Sequence, residues 1–193
     1  MTVALSSTRL TPDDLTRLED EGLFELVDGK LVEKQMSRIA SLTAGRITTA
    51  LSIYVARGNL GDVLPEQTFQ CFPRDRNLIR RPDVAFIISA RTAGLPDEGH
   101  LSIAPDIAVE VVSPTDRIYE LDEKLDDYRS AGVRLIWVVN PNSRTIRVHR
   151  LDHSVTELCE SDILSGESVL ADFTIQVAEL FPPLPSQPVD ARA

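Results

Sequence analysis

The chain has 193 residues, of which 42% are hydrophobic and 26% charged, so it is long enough for one domain with a real core and short for two. Its net charge is −10 and its sequence pI is about 4.8. This balance repels phosphate backbones on average, which argues against a tight, non-specific nucleic-acid binder and leaves such contact to a local basic patch or to bound cations.

The cysteines and the N-terminus give information about the compartment. Cys71 and Cys159 are isolated, with neither CxxC spacing nor neighbouring histidines, so they predict core thiols in a reducing compartment. The first ten residues lack a basic region followed by an apolar stretch, and no segment approaches the length needed to span a bilayer. We therefore expect a soluble, cytoplasmic protein with no membrane association.

The N-terminal third reads as a helix followed by a hairpin. An N-cap threonine, a proline and two acids predict a helix over residues 12–21, ended by Gly22. Apolar runs at 24–27 and 31–32 flank Asp28 and a glycine, which is a strong signal for a tight β-hairpin.

A long helix comes next. Ser37 is its expected N-cap, and residues 57–59 its expected end. Its apolar stripe, which we expect to pack on a sheet, consists of Ile39, Leu42, Ile47, Leu51 and Val55.

The remainder alternates between strands and one more helix. Strands are predicted at 63–72, 82–88, 105–112, 134–139, 145–150 and 156–159, with another around Val169. A helix is predicted over 119–131, stopped by Gly132, and the strand–helix–strand unit around it predicts a crossover that places both strands in one sheet. We expect one mixed α/β domain over residues 11–181, a flexible N-terminus at 1–10 and a flexible, Pro-rich tail at 182–193.

Glu110 is the most informative single residue, because it lies in the middle of the apolar, β-branched run 107–112. A buried carboxylate requires a cation, a metal or a hydrogen-bond network. The alternative is a strand with one solvated face, on which Glu110 would simply be hydrated. Two further acids, Asp83 and Asp106, each follow a proline at the head of a predicted strand, and Asp106 shares a strand face with Glu110.

Lys124 lies along the edge of a core-facing stripe formed by Leu121, Leu125 and Tyr128. The other charges of this helix, Glu123, Asp126 and Asp127, are expected to face mainly elsewhere. One interpretation is a lysine that extends past the stripe or pairs with Glu120. The other is an ammonium directed at Glu110 across the sheet.

Two carboxylates on neighbouring strands with a lysine nearby suit one kind of chemistry. Oxygen ligands favour Mg²⁺ or Mn²⁺, which also take phosphate oxygens into their shell. The metal lowers the pKa of a bound water and neutralises charge on the phosphate, while a lysine orients that water or stabilises developing charge. The pattern therefore predicts phosphodiester hydrolysis.

A basic cluster precedes Asp83. It is a candidate contact for a phosphate backbone or, alternatively, a solvated loop, and it consists of Arg74, Arg76, Arg80 and Arg81.

Five ordered blocks carry a resemblance to a known family. They are FELVDGKLVE at 24–33, RPDV at 81–84, APDIAVEVVSP at 104–114, KLDDY at 124–128 and GVRLIWVV at 132–139. In this order they resemble the Uma-type family of restriction-endonuclease-like proteins, within the PD-(D/E)XK nuclease superfamily. The resemblance covers about residues 11–181.

The resemblance implies a restriction-endonuclease-like mixed sheet flanked by helices, with an N-terminal helix and hairpin. It implies Asp83 and Glu110 as metal ligands. The superfamily's usual lysine position, two residues after the second acid, holds Val112 here, and the family resemblance moves the lysine to Lys124. Glu25 is similar to an auxiliary acid of such sites, although a solvated hairpin residue is the alternative.

These expectations describe an Mg²⁺- or Mn²⁺-dependent DNA endonuclease, with DNA as its partner and a homodimer expected by analogy with nucleases that cut both strands. Two alternatives remain at this point. One is a binding or regulatory module that keeps the nuclease fold without turnover, and the other is a small-molecule, metal-dependent phosphoesterase.

Overall fold

A six-stranded β-sheet lies at the centre of the computed structural model, which describes residues 9–18, 22–113 and 117–183. The elements in chain order are α1 (Pro12–Thr16), β1 (Phe24–Val27), β2 (Lys30–Glu33), α2 (Arg38–Ala56), β3 (Gly61–Pro65), β4 (Val84–Ile88), β5 (Ile107–Val111), α3 (Ile118–Ser130), β6 (Leu135–Asn140), β7 (Thr145–Arg150), β8 (Val155–Leu158), β9 (Ile163–Ser165) and β10 (Thr174–Gln176). Short 3-10 turns follow β4 and β10.

The central sheet has the order β3-β4-β5-β6-β7-β8. Only β5 and β6 are parallel, and α3 connects them, so the predicted crossover is confirmed. The other neighbours are antiparallel. The fold is thus the mixed sheet flanked by helices that was expected.

The sheet separates two apolar layers. On one face, α2 and the C-terminal segment pack on residues such as Val109 and Trp137. On the other, α3 packs through Leu125 and Tyr128 on Ala108 and its neighbours. Glu110 alternates with Val109 along β5 and therefore belongs to the α3 face.

The hairpin prediction is confirmed, with β1 and β2 paired antiparallel. Asp28 and Gly29 have φ values of 51° and 75°, the left-handed pair that a two-residue turn matching the strand twist requires. A Cβ at Gly29 would lie 2.8 Å from the Cβ of Arg9, so glycine also leaves space for the preceding segment.

The helices differ from their predictions in detail. α1 ends at Thr16 rather than near residue 21, and residues 19–21 lie outside the described residues. α2 has the predicted cap, in which the Ser37 side chain accepts a hydrogen bond from the Ala40 amide. Its buried face differs from the predicted stripe because Leu42 is 43% exposed, whereas smaller residues fill the interface, namely Ala40, Thr43 and Ala44.

The expectation that no segment is long enough to span a bilayer is wrong for α2. By length and composition it is the one described helix able to cross a bilayer. Its apolar character has another explanation, because its buried side packs on the central sheet through Ile47, Leu51 and Val55.

Two strand predictions are wrong. The strand expected at 63–72 ends at Pro65, because Glu66 takes a left-handed φ of 53° and the following segment forms only isolated bridges. No strand forms at Val169, which lies in the connection between β9 and β10, a separate antiparallel pair. The predicted tail lies mostly outside the described residues, as does most of the predicted N-terminal segment, and their flexibility stays a prediction.

Candidate active site

A pocket of about 320 Å³ lies between the hairpin, the end of β5 and α3. The four residues proposed from sequence as the reactive group all line it, and Lys34 joins them. Those four residues are Glu25, Asp83, Glu110 and Lys124.

Asp83 directly precedes β4, and its side chain is only 3% exposed. Its Oδ2 accepts a hydrogen bond of 2.5 Å from the Val111 amide of the neighbouring strand. Its Oδ1 lies 2.7 Å from the Nζ of Lys34. The carboxylate is therefore fixed to the strand that carries Glu110.

Glu110 is 5% exposed, so the interpretation of a solvated strand face is wrong. Its Oε1 accepts a 2.6 Å hydrogen bond from the Tyr128 hydroxyl, and its Oε2 lies 3.4 Å from the Nζ of Lys124. Burial raises the pKa of Glu110 above its ordinary value, with Asp83 and Glu25 adding to the rise, and the two lysines only partly offset it.

Lys124 connects two carboxylates. Its Nζ lies 3.0 Å from Glu25 Oε1 as well as 3.4 Å from Glu110 Oε2. Burial alone would lower the pKa of Lys124, but the two carboxylates outweigh it and raise the pKa. Lys124 is thus a charged group directed at Glu110, which agrees with the second of the two interpretations drawn from the sequence.

Glu25 is fully buried, so it is no solvated hairpin residue. Its Oε1 also accepts the Arg81 amide at 3.1 Å, and its Oε2 accepts Arg80 Nη1 at 3.0 Å. Burial would raise the pKa of Glu25, but Lys124 and Arg80 hold it at about 2. Glu25 is therefore a permanent anion that anchors Lys124.

Lys34, directly after β2, was missed by the sequence reasoning. Its Nζ donates to Asp83 Oδ1 at 2.7 Å, to the Arg81 carbonyl at 2.6 Å and to Glu66 Oε2 at 3.3 Å. Burial lowers and the surrounding carboxylates raise the pKa of Lys34, and the net result is a raised pKa. In the sequence, only its position next to the hairpin points to Lys34. Its immediate neighbours, Glu33 and Gln35, are polar and give no sign that Lys34 is buried.

The arginine cluster does not form one surface patch. Arg80 and Arg81 are buried, which corrects the expectation that they meet a phosphate backbone. Arg80 donates to Asp127 Oδ2 at 2.6 and 2.8 Å, so Asp127 faces the interior rather than solvent. Arg74 pairs with Glu123 at 2.7 Å at the surface. Arg74 and Arg76 are the two members that are exposed.

Asp106 belongs to a different place. Its carboxylate accepts the Ile88 amide at 2.9 Å, Arg91 at 2.7 Å and Arg134 at 2.8 Å. It does not line the pocket of Glu110. The two acids are four positions apart along the chain, so sharing a face of the strand does not bring them together.

A family model described as "Putative restriction endonuclease", Uma2, matches residues 12–178. The chain belongs to the Uma2 family. Membership in the Uma2 family supports a nuclease function and an enzymatic nature for the protein. No curated protein matches the chain at a significant level.

Solved structures that match this Uma2 protein differ widely in their similarity to it. A crystal structure titled as a putative nuclease belonging to DUF820, from Anabaena variabilis, is 20% identical with a TM-score of 0.75, and the match covers 89% of this chain and 97% of that one. That likeness establishes the fold. A DrdV–DNA complex gives a TM-score of 0.35 at 13% identity, over 61% of this chain and 12% of the other, which is too low to support an argument.

The donor set of this Uma2 protein fits a divalent cation in a limited way. Among residues 9–18, 22–113 and 117–183, no group of three or more His, Cys, Asp or Glu side chains is arranged to hold a metal ion. Mg²⁺ is commonly held by one or two carboxylates, and waters and phosphate oxygens complete its coordination. Asp83 and Glu110 could supply the carboxylates.

Proposed function

We propose that the protein is an Mg²⁺- or Mn²⁺-dependent DNA endonuclease. The observation that carries the proposal is the convergence of Asp83, Glu110 and Lys124 in one pocket, although they come from three separate segments of the chain. Both carboxylates are buried, and the lysine contacts one of them, in a chain whose family is described as restriction endonucleases.

Asp83 and Glu110 are the residues that would hold the ion. When bound, a divalent ion lowers the pKa of a coordinated water and neutralises charge on a phosphate. Lys124 orients the attacking water or stabilises negative charge at the phosphate. Glu25 acts as an auxiliary residue, because its carboxylate holds the ammonium of Lys124 in position.

DNA is the proposed substrate because the family description names restriction endonucleases. The net charge of −10 requires that affinity come from bound cations and a few local groups, of which Arg74 and Arg76 are exposed candidates. A cytoplasmic location, no membrane association and a homodimer complete the proposal, the last by analogy with nucleases that cut both strands.

The test is cleavage of supercoiled plasmid by purified protein with Mg²⁺ or Mn²⁺. We expect nicking by the wild type, and at least about a hundredfold less by Asp83→Asn, because the variant would lose the ion that stabilises charge in the transition state. Asp97→Asn makes the same change at an exposed loop position and should leave nicking unchanged. No nicking by the wild type, or equal nicking by Asp83→Asn, would contradict the proposal.

A small-molecule phosphoesterase is the second candidate. The pocket volume of about 320 Å³ favours it, because it falls at the lower end of the range for small-ligand sites. Turnover of a chromogenic phosphodiester without cleavage of plasmid would support this function. DNA retention that is unaffected by Asp83→Asn, with no turnover of either substrate, would instead identify a binding module that keeps only the fold.

A further inference from the structure

Lys34 is a cation held inside a set of oxygen atoms. Its ammonium contacts the Asp83 carboxylate, the Glu66 carboxylate and the Arg81 carbonyl at 2.7, 3.3 and 2.6 Å. Its side chain is only 9% exposed. These are oxygen ligands of the type that also binds Mg²⁺, and here an amino group fills the space between them.

The two buried lysines of the pocket, Lys34 and Lys124, differ in the groups that hold them. The shortest carboxylate contact of Lys124 is with Glu25, at 3.0 Å, and its contact with Glu110 is 3.4 Å. Lys124 can therefore keep its anchor whatever happens at Glu110. The shortest carboxylate contact of Lys34 is with Asp83, one of the two residues proposed to hold a metal ion.

An ion on Asp83 and the ammonium of Lys34 would compete for the same negative charge. Oδ2 of Asp83 already accepts the Val111 amide, so Oδ1 is the oxygen that faces both cations. Mg²⁺ binds oxygen at about 2.0–2.1 Å, which would bring two positive charges within a few ångströms in a buried pocket. The Arg81 carbonyl and Glu66 give Lys34 two partners that remain if it leaves Asp83.

We propose that Lys34 is the resident counterion of Asp83, and that binding of a divalent cation displaces its ammonium from Oδ1. This inference rests on the proposed function. It makes Lys34 a positioning residue that lets the acidic pocket fold without metal and lowers the affinity of the pocket for metal.

The first test measures the affinity for Mn²⁺ by isothermal titration calorimetry. We expect Lys34→Met to bind Mn²⁺ about tenfold more tightly than the wild type, because a competing charge-assisted hydrogen bond is gone. In EDTA the same variant should have a lower midpoint of thermal unfolding, and saturating Mn²⁺ should reduce that difference. Lys30→Met is the matched control, since Lys30 lies in the same hairpin and lines the same pocket but is exposed.

Equal or weaker Mn²⁺ binding by Lys34→Met would overturn the role of Lys34 while leaving the metal site intact. Absence of Mn²⁺ binding in both the wild type and Lys34→Met would instead overturn the proposed metal site, and this inference with it. An equal gain in Lys30→Met would also overturn it, because the effect would then be one of general charge.

A second measurement needs no variant. Acylation of lysines in the wild-type protein, followed by mass spectrometry, reports how accessible each amine is. We expect Lys34 to be protected in EDTA and to react several-fold faster with saturating Mn²⁺, because it then keeps only Glu66 and the Arg81 carbonyl of its three partners, whereas Lys30 reacts equally in both. Unchanged protection of Lys34 in the presence of bound Mn²⁺ would overturn the displacement.

Discussion

At the scale of single residues, the sequence contained part of the site. A carboxylate inside an apolar strand predicted Glu110, and a lysine at the edge of a core stripe predicted Lys124. Lys34 was not predictable in this way, because its burial depends on Glu66 and Asp83, which lie 32 and 49 residues away. Tyr128 was predicted as a core residue, and its burial is confirmed, but its hydroxyl also serves Glu110.

Loss of the Tyr128 hydroxyl should destabilise the fold. Tyr128→Phe removes the 2.6 Å hydrogen bond to Glu110 Oε1 and leaves that oxygen buried. We expect the free energy of unfolding to fall by about 1.5–3 kcal/mol, the usual range for hydrogen bonds to charged groups. Urea denaturation measures this change.

Tyr119→Phe provides the matched control, since Tyr119 lies on the same helix and is 87% exposed. Its free energy of unfolding should stay close to that of the wild type. A loss in Tyr128→Phe no larger than in Tyr119→Phe would show that the hydroxyl does not stabilise Glu110.

His149 should make the folded protein sensitive to acid. The residue is buried, and its Nδ1 lies 2.9 Å from Arg129 Nη2, which requires that nitrogen to be unprotonated to accept. Burial, followed by the charges of Arg129 and Arg147, lowers its pKa to about 4. Because the folded pKa lies below the ordinary value, protonation favours the unfolded chain.

The contribution of neutral His149 to the free energy of unfolding is therefore complete above about pH 6.5, and it is lost as the pH falls toward about 4. His149→Gln should lose less stability than the wild type across this interval, as measured by urea denaturation at a series of pH values. His153→Asn, at an exposed turn position, should follow the wild-type curve. Parallel curves for wild type and His149→Gln would refute the assignment.

At the scale of elements, the N-terminal hairpin supplies Glu25 to the pocket, and Lys34 follows it directly. Its strands and turn were predictable because a two-residue Asp-Gly turn is a local signal. Its docking was not, since that depends on contacts such as the backbone pairing of Leu26 with Ile79. The end of β3 was also missed, because a left-handed Glu66 leaves no clear mark in the sequence.

Arg80, like Lys124, joins this hairpin to α3. It donates to Glu25 on β1 and to Asp127 on α3, and its side chain is 4% exposed. Arg80→Met would leave two buried carboxylates without their shared cation, so we expect a loss of about 3–5 kcal/mol in the free energy of unfolding.

Chemical denaturation of Arg80→Met, compared with Arg76→Met, measures this effect. Arg76 is exposed in the same segment, so its replacement should change stability by no more than about 0.5 kcal/mol. Similar stabilities of the two variants would mean that the buried ion pairs do not hold the hairpin to α3.

At the scale of the whole molecule, the architecture was more predictable than the site. One strand–helix–strand unit fixes the parallel pair β5–β6, and short turns fix two of the four antiparallel pairs around it, β6–β7 and β7–β8. The ion pairs of the pocket join segments that are remote in the chain, and only the folded topology determines which charges meet.

The acidic total charge makes a prediction about DNA binding. With a net charge of −10, the protein should bind a labelled DNA duplex weakly in EDTA, because the two surfaces repel each other. Addition of Ca²⁺ should tighten binding by about tenfold or more, since a bound cation offsets the acids of the pocket. Fluorescence anisotropy at fixed ionic strength measures both affinities.

Asp83→Asn should lose most of the Ca²⁺-dependent gain, while Asp97→Asn should keep it. Tight binding in EDTA would indicate a basic surface that does not depend on the pocket.

The connection of Glu25 to Lys124 also has a consequence for biosynthesis. A ribosome releases the hairpin early and α3 only after three of the six strands of the central sheet, since Glu25 and Lys124 are separated by about half the chain. A nascent polypeptide therefore lacks the complete set of charged groups until α3 has left the exit tunnel. A DNA-cutting activity built on this pocket would be withheld from every incomplete translation product that stops before that helix.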